Sequence, residues 1–183
     1  MRSESDLRLW MHRTDKLVYV GLNPCPSSHR LYLRTGRCAQ CRPAGLAYLA
    51  RMSQPGYTYV AFATKSRVVK VGCTDNVERR IRDLGREAYG GYADWTFIEK
   101  FWCDRAGYAE HLAHLTLQAR KFKKLYEHNG REVASRELFE CTAEEGKKAA
   151  HQGWRLARNE EIRARLDGGE FADPTKLRVL LPS

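Results

Sequence analysis

Residues 56–84 read GYTYVAFATKSRVVKVGCTDNVERRIRDL, and the reading of this stretch decides the fold. Tyr57–Phe62 and Val68–Val71 are rich in β-branched and aromatic residues, and Ala63-Thr64-Lys65-Ser66-Arg67 lies between them. That is the pattern of a β-hairpin. After Gly72 the period changes. Val77, Ile81 and Leu84 recur at helical spacing, and Asp75-x-x-Glu78 has the form of a capping box opening the helix. Strand, turn, strand and basic helix bring Tyr59, Lys70 and Arg80 within reach of one surface. A hydrophobic core has no use for a phenol, an ammonium and a guanidinium at one place.

Working outward, Trp95–Cys103 reads as a third strand, preceded by Gly90-Gly91. Asp104 is expected to cap a helix from Arg105 to about Phe122 that packs Ala109, Leu112, Ala113 and Leu117 inward. Glu110 and His114 stand four apart on one face of it. An ordinary exposed pair has the same spacing; the upstream hairpin favours a functional one. A polar loop with Asn129-Gly130 leads to a short closing strand, Glu137-Leu138-Phe139-Glu140-Cys141. Thr142-x-x-Glu145 is a second capping box, starting a helix to about Gln152. A separate arginine-rich helix is expected at Trp154–Leu166, with Arg155, Arg158, Arg163 and Arg165. The tail at Lys176–Leu181 reads as a short strand or a loose arm. The fold class is therefore α/β (α+β), a small antiparallel sheet flanked by helices.

These motifs resemble the GIY-YIG nuclease superfamily, in its phage and bacterial branch with a KIG-like second motif. Tyr57-Thr58-Tyr59 stands where the first motif ends in tyrosine, and Lys70-Val71-Gly72 where the second would read Tyr-Ile-Gly. The resemblance continues through Arg79-Arg80, Ala109-Glu110, His114 and Arg136-Glu137-Leu138-Phe139. It implies a metal-dependent DNA endonuclease. Hydrolysing a phosphodiester needs an activated water, positive charge where the transition state gathers negative charge, and stabilisation of the departing oxygen. Glu110 is the expected ligand of a catalytic magnesium (or manganese), and Arg80 is expected to hold a phosphate oxygen. Tyr59 would relay or accept the proton of the attacking water, with Lys70 assisting it or touching the phosphate. His114 is expected in a supporting or proton-transfer role, and Phe139 in packing.

A second constellation lies upstream. Cys25-x3-His29 is followed by Cys38-x2-Cys41, two close ligand pairs that suit tetrahedral zinc, with Gly36 permitting the chain to reverse. The segment resembles small zinc modules found beside phage nuclease domains; a disulfide is the competing reading. Arg30, Arg34, Arg37 and Arg42 surround the ligands and are expected to grip phosphates, with Tyr32 available to stack or pack. Lys121, Lys123 and Lys124 interleave with Phe122, Leu125 and Tyr126, as a phosphate-tracking surface or a solvated helix end. Leu7, Leu9, Trp10 and Met11 suit a short amphipathic segment, and Lys16–Val20 a short strand. Residues 44–55 read as a short helix ended by Pro55-Gly56. The expected domains are a zinc module at 1–44, a connector at 45–55, a nuclease-like domain at 56–152, and a basic helix and tail at 153–183.

With 183 residues the chain can bury one good core and a small appendage. Its net charge of +10 favours a polyanionic partner, most simply DNA. No apolar run is long enough to cross a membrane and the start has no secretory pattern, so an intracellular, cytoplasmic setting is expected. In a reducing compartment Cys73, Cys103 and Cys141 are expected to be buried free thiols. Two classes of function stay open: an endonuclease using magnesium with structural zinc, and a catalytically silent nucleic-acid-binding or virion-associated protein on the same scaffold. A redox or zinc-storage role has no support in the pattern.

Overall fold

In the computed structural model the described residues are Leu7, Met11 and 16–166, without the side chains of 161 and 163–166. The expectations for Leu9, Trp10, Arg163, Arg165 and the 176–181 tail lie outside them. The chain divides into two units, one of residues 1–52 with 159–183 and one of residues 53–158.

The first unit is small. Strands β1 (Val18–Val20) and β2 (Leu31–Leu33) pair antiparallel, with Val18 opposite Leu33, and Tyr32 bridges to Cys38 beyond them. Helix α1 (Pro43–Met52) begins on a proline, whose fixed φ suits a first turn, and ends before Ser53-Gln54-Pro55. Leu33, Ala39 and Leu49 are buried, with Leu17, Val18, Leu31 and Leu46 packed around them. Tyr32 packs rather than projects: its ring stacks on Tyr19 at 5.6 Å.

The second unit is built on the hairpin. Strands β3 (Gly56–Ala63) and β4 (Val68–Thr74) pair antiparallel with Tyr59 opposite Gly72 and Ala61 opposite Lys70. After helix α2 (Val77–Arg86) and a 3₁₀ turn at Tyr89–Gly91, strand β5 (Trp95–Cys103) pairs with β3. Then come helix α3 (Ala106–Thr116), β6 (Lys121–Phe122), β7 (Leu125–His128), β8 (Arg131–Ala134), β9 (Leu138–Glu140) and helix α4 (Ala143–Leu166). The five-stranded sheet has the order β5-β3-β4-β9-β6, with antiparallel neighbours throughout. The fold is α+β, as the sequence suggests.

Both faces of the hairpin are covered, which is why its strands are so uniformly apolar. Val60, Val69 and Val71 pack with Ala113 and Leu117 of the α3 region, Phe139 of β9, and Ala149 and Ala150 of α4. On the other face Tyr59, Ala61, Ala63 and Val68 pack with Val77 and Leu84 of α2, Trp95 and Leu138. Each fully buried valine or leucine contributes on the order of 1.5–3 kcal/mol.

Several local expectations are corrected. Asn76, not Asp75, caps α2: its Oδ1 accepts from the Arg79 amide at 2.8 Å, while Asp75 pairs with the Arg79 guanidinium and Glu78 with Lys100. Asp104 does not cap α3; Arg105 holds that position, and the Ala106 amide donates to the Gln54 carbonyl at 3.1 Å. This helix stops at Thr116, whose hydroxyl turns back onto the Leu112 carbonyl, and Lys121-Phe122 instead extends the sheet beside β9. The Asn129-Gly130 loop is the two-residue turn of a β7–β8 hairpin, both residues having positive φ. The two C-terminal helices are one. Gly153 lies within α4, and since a Cβ there would be 2.4 Å from the Ala109 carbonyl oxygen, the missing side chain lets α4 approach α3 closely. The Thr142–Glu145 capping box forms as expected, with amide-to-side-chain bonds of 2.8 and 3.2 Å in both directions.

Candidate active site and metal centre

The hairpin register creates a demand at Gly72. A Cβ there would sit 2.7 Å from the Tyr59 hydroxyl, so only glycine leaves room for the phenol to lie across β4. Tyr59 is 1% exposed, and its oxygen accepts from Arg80 Nε of α2 at 3.3 Å. Two residues back on β4, Lys70 is also 1% exposed and forms an ion pair with Glu137. Its ammonium lies 4.8 Å from the centre of the Tyr89 ring.

The site sits where β9 leaves β4. The two strands pair only at Val68 and Val69, so β4 beyond that point lacks a β9 neighbour. His114 of α3 takes up the Val71 carbonyl there, Nε2 to oxygen 2.9 Å. A carbonyl only accepts, so Nε2 carries the hydrogen. Glu110, one helical turn earlier and 5% exposed, has its Oε1 3.9 Å from that same nitrogen. The His114 ring rests on Phe139, with centroids 5.0 Å apart. Thus Phe139 packs, as expected.

Electrostatics follow from burial opposed by neighbours. Burial works against the charge of Lys70, but Tyr59, Glu137, Tyr89 and Glu110 prevail and raise its pKa above the ordinary lysine value. Arg80 is likewise opposed by burial and held charged by Tyr59, then by Glu87 and Glu137. For His114 burial wins over the pull of Glu110, so the ring sits below the ordinary 6.5 and is neutral at pH 7.

The structure therefore brings Tyr59, Lys70, Arg80, Glu110 and His114 into one polar cluster assembled from β3, β4, α2 and α3. Two further members went unassigned in the sequence, Glu137 and Tyr89. Glu137 stood in the Arg136-Glu137-Leu138-Phe139 match, which was a signal; Tyr89 had none, since a loop residue acquires its neighbours only on folding.

The upstream constellation is built from the loops on either side of β2. Cys25, His29, Cys38 and Cys41 place one ligand atom each within 4.8 Å of one another. His29 Nδ1 lies 3.3 Å from Cys41 Sγ and 3.7 Å from Cys38 Sγ, and the Cys41 amide donates to Cys38 Sγ at 3.4 Å. All six cysteines are free thiols, which removes the disulfide reading. Three sulfurs and one imidazole nitrogen at this spacing are a donor set compatible with structural zinc. Cys103 and Cys141 are buried as expected, and burial pushes the Cys141 thiol up to about 11.

The basic residues sort unevenly. Arg30, Arg37, Arg42, Lys121 and Lys123 are exposed. Arg34 is 3% exposed, so it does not offer itself to a phosphate at the surface as expected. The Lys124 ammonium lies 3.9 Å from the centre of the Tyr92 ring. Among the described residues no helix is long and apolar enough to cross a membrane.

Residues 56–154 match the family model described as the T5orf172 domain. No curated protein and no solved structure matches the chain. The match takes in the whole five-stranded sheet and every member of the Tyr59 cluster, and it spans more than half of the sequence. By that match the chain belongs to the T5orf172 domain family, a phage-associated family related to nuclease-type folds.

Proposed function

We propose that the protein is a metal-dependent DNA endonuclease of the GIY-YIG kind, with the zinc module and the basic surface holding DNA. The observation that carries this is the Tyr59–Arg80 hydrogen bond inside a buried cluster that also holds Lys70, Glu110 and His114. Burying that much charge is costly, and packing alone gives no reason for it.

Each residue has a part that its geometry supports. Arg80 uses Nε on the phenol and keeps its other N–H groups for non-bridging phosphate oxygens. Because the phenol oxygen accepts from Arg80, its own hydrogen is left for exchange with the attacking water. Lys70, fixed by Glu137, adds positive potential beneath the phosphate. His114 is held by the Val71 carbonyl through Nε2, which leaves a neutral ring with an unprotonated Nδ1. Glu110 suits a hard divalent cation because a carboxylate supplies the oxygen donors that such an ion requires, and it stands beside His114 in the cluster. When bound, magnesium or manganese would supply stabilisation of the departing oxygen.

The second reading, a silent nucleic-acid-binding scaffold, is favoured by Lys70 standing where a second tyrosine is usual and by Glu110 being only 5% exposed. Supercoiled plasmid incubated with the protein separates the two. We expect nicking with magnesium or manganese, none in divalent-free buffer, and none from Glu110→Ala, which should still shift DNA in a gel. A wild-type protein that binds DNA but leaves it intact with both metals establishes the scaffold reading instead.

A further inference from the structure

The first unit contains a cleft of about 690 Å³, lined by Leu33, Thr35, Arg37, Cys41, Arg42 and one end of α1. From α1 the lining residues are Pro43, Ala44 and Gly45 of its first turn and Tyr48 and Leu49 of the next. A Cβ at Gly45 would lie 2.8 Å from Leu33 Cδ1, so glycine lets α1 sit close against that leucine. No lining residue is acidic, and the first turn of α1 carries no acidic residue either.

The lining has a division of character. Arg37 and Arg42 are exposed and cationic, with the Thr35 hydroxyl near them. Leu33 and Leu49 make a buried apolar floor, Pro43 and Ala44 are exposed at its edge, and Tyr48 stands 45% exposed beside it. Zinc held by three thiolates and one imidazole carries a net charge of about −1, so the two arginines leave this part of the module positive. A cationic rim, an apolar floor and a partly exposed aromatic ring match the three parts of a nucleotide: phosphate, sugar and base. The volume falls within the range of about 300–1,000 Å³ that small-molecule sites occupy.

We propose that this cleft is a nucleotide subsite that takes one unpaired nucleotide of a DNA strand, with its phosphate on Arg37 and Arg42 and its base against Tyr48. A base inside a duplex is stacked on both sides and shows only its edge, so a base that reaches Tyr48 has left the stack. The zinc module then selects single-stranded, frayed or flipped DNA rather than intact duplex. This deepens the DNA-binding half of the proposed function and is independent of cleavage.

The test is fluorescence anisotropy with labelled oligothymidylate of about 12 nucleotides, and with a blunt duplex of the same length. It uses the full zinc-loaded chain carrying Glu110→Ala, without magnesium, so that catalysis plays no part. Tyr48→Ala should weaken oligothymidylate binding by about tenfold, the scale of one lost stacking partner. It should leave duplex affinity and the salt slope unchanged, and Tyr48→Phe should restore binding. Arg37→Ala with Arg42→Ala should reduce the log–log salt slope for oligothymidylate by about 1.4, the counterions of two single-strand phosphate contacts. Zinc content equal to that of the parent chain checks the fold of each variant. The proposal is overturned if Tyr48→Ala binds oligothymidylate like the parent, if it loses duplex binding by the same factor, or if the arginine pair leaves the salt slope unchanged.

Discussion

The two units solve one problem by opposite means. Each holds polar side chains in a fixed constellation. Around Tyr59 the holding is done by strand register and by apolar packing on both faces of the sheet, including Val60, Val69 and Val71 on one side and Val77 and Leu84 on the other. Around Cys41 the described buried cluster is Leu33, Ala39 and Leu49, and the four ligands come from loops. A core that small supplies little stability, so a metal held by the four ligands would supply much of it. One constellation is therefore a consequence of the fold, whereas the other, once metal is bound, would be part of its cause.

The sharpest way to break this comparison is to remove zinc. Chelation, or Cys38→Ser, should abolish amide hydrogen-exchange protection at Leu33 and Leu49 while Val60 and Val71 keep theirs. Protection retained at Leu33 after complete zinc removal would show that the module folds on packing alone. A smaller effect belongs to the sheet. Gly72→Ala forces a Cβ to 2.7 Å from the Tyr59 hydroxyl and should cost about 1–3 kcal/mol in urea unfolding, separating Tyr59 from Arg80. An unchanged urea midpoint would mean that the phenol is not wedged against β4.

The smallest effect is in pH. Burial holds His114 below its ordinary 6.5, so the unfolded chain takes up the proton first. Its contribution is therefore complete above about pH 6.5 and declines as pH falls below that value. Half-buried His111 is shifted with the same sign, so replacing His114 removes only part of the slope. His114→Gln should shrink the loss of urea midpoint between about pH 7 and pH 5. An identical loss in the variant would remove His114 from the account.

Legibility in the sequence tracks how local each cause is. The hairpin, α2, β5 and the Thr142–Glu145 cap rest on residues close in sequence, and all are present. The β7–β8 hairpin was equally local, since Asn129-Gly130 is a two-residue turn signal, but its strands bury no residue and so carry little apolar pattern. The end of α3 and the unbroken α4 were not legible, because each depends on distant contacts. Lys121 pairs with Phe139, and Gly153 lies against Ala109. Position 76 took the cap from position 75 because an asparagine at N-cap left Asp75 to pair with Arg79. In the site, five side chains could be chosen by motif order, but the Lys70–Glu137 pair and the Tyr89 ring under Lys70 needed the fold.

The central claim is that the buried Tyr59 cluster does chemistry and is more than a structural network. Single-turnover cleavage of a DNA substrate by Tyr59→Phe, with DNA affinity and thermal midpoint measured in parallel, tests it most directly. The phenyl ring keeps the packing against Gly72 and removes only the oxygen that accepts from Arg80. The account predicts a fall in cleavage rate of about 10²-fold or more, with affinity and midpoint close to wild type. A Tyr59→Phe protein that cleaves at the wild-type rate would contradict it.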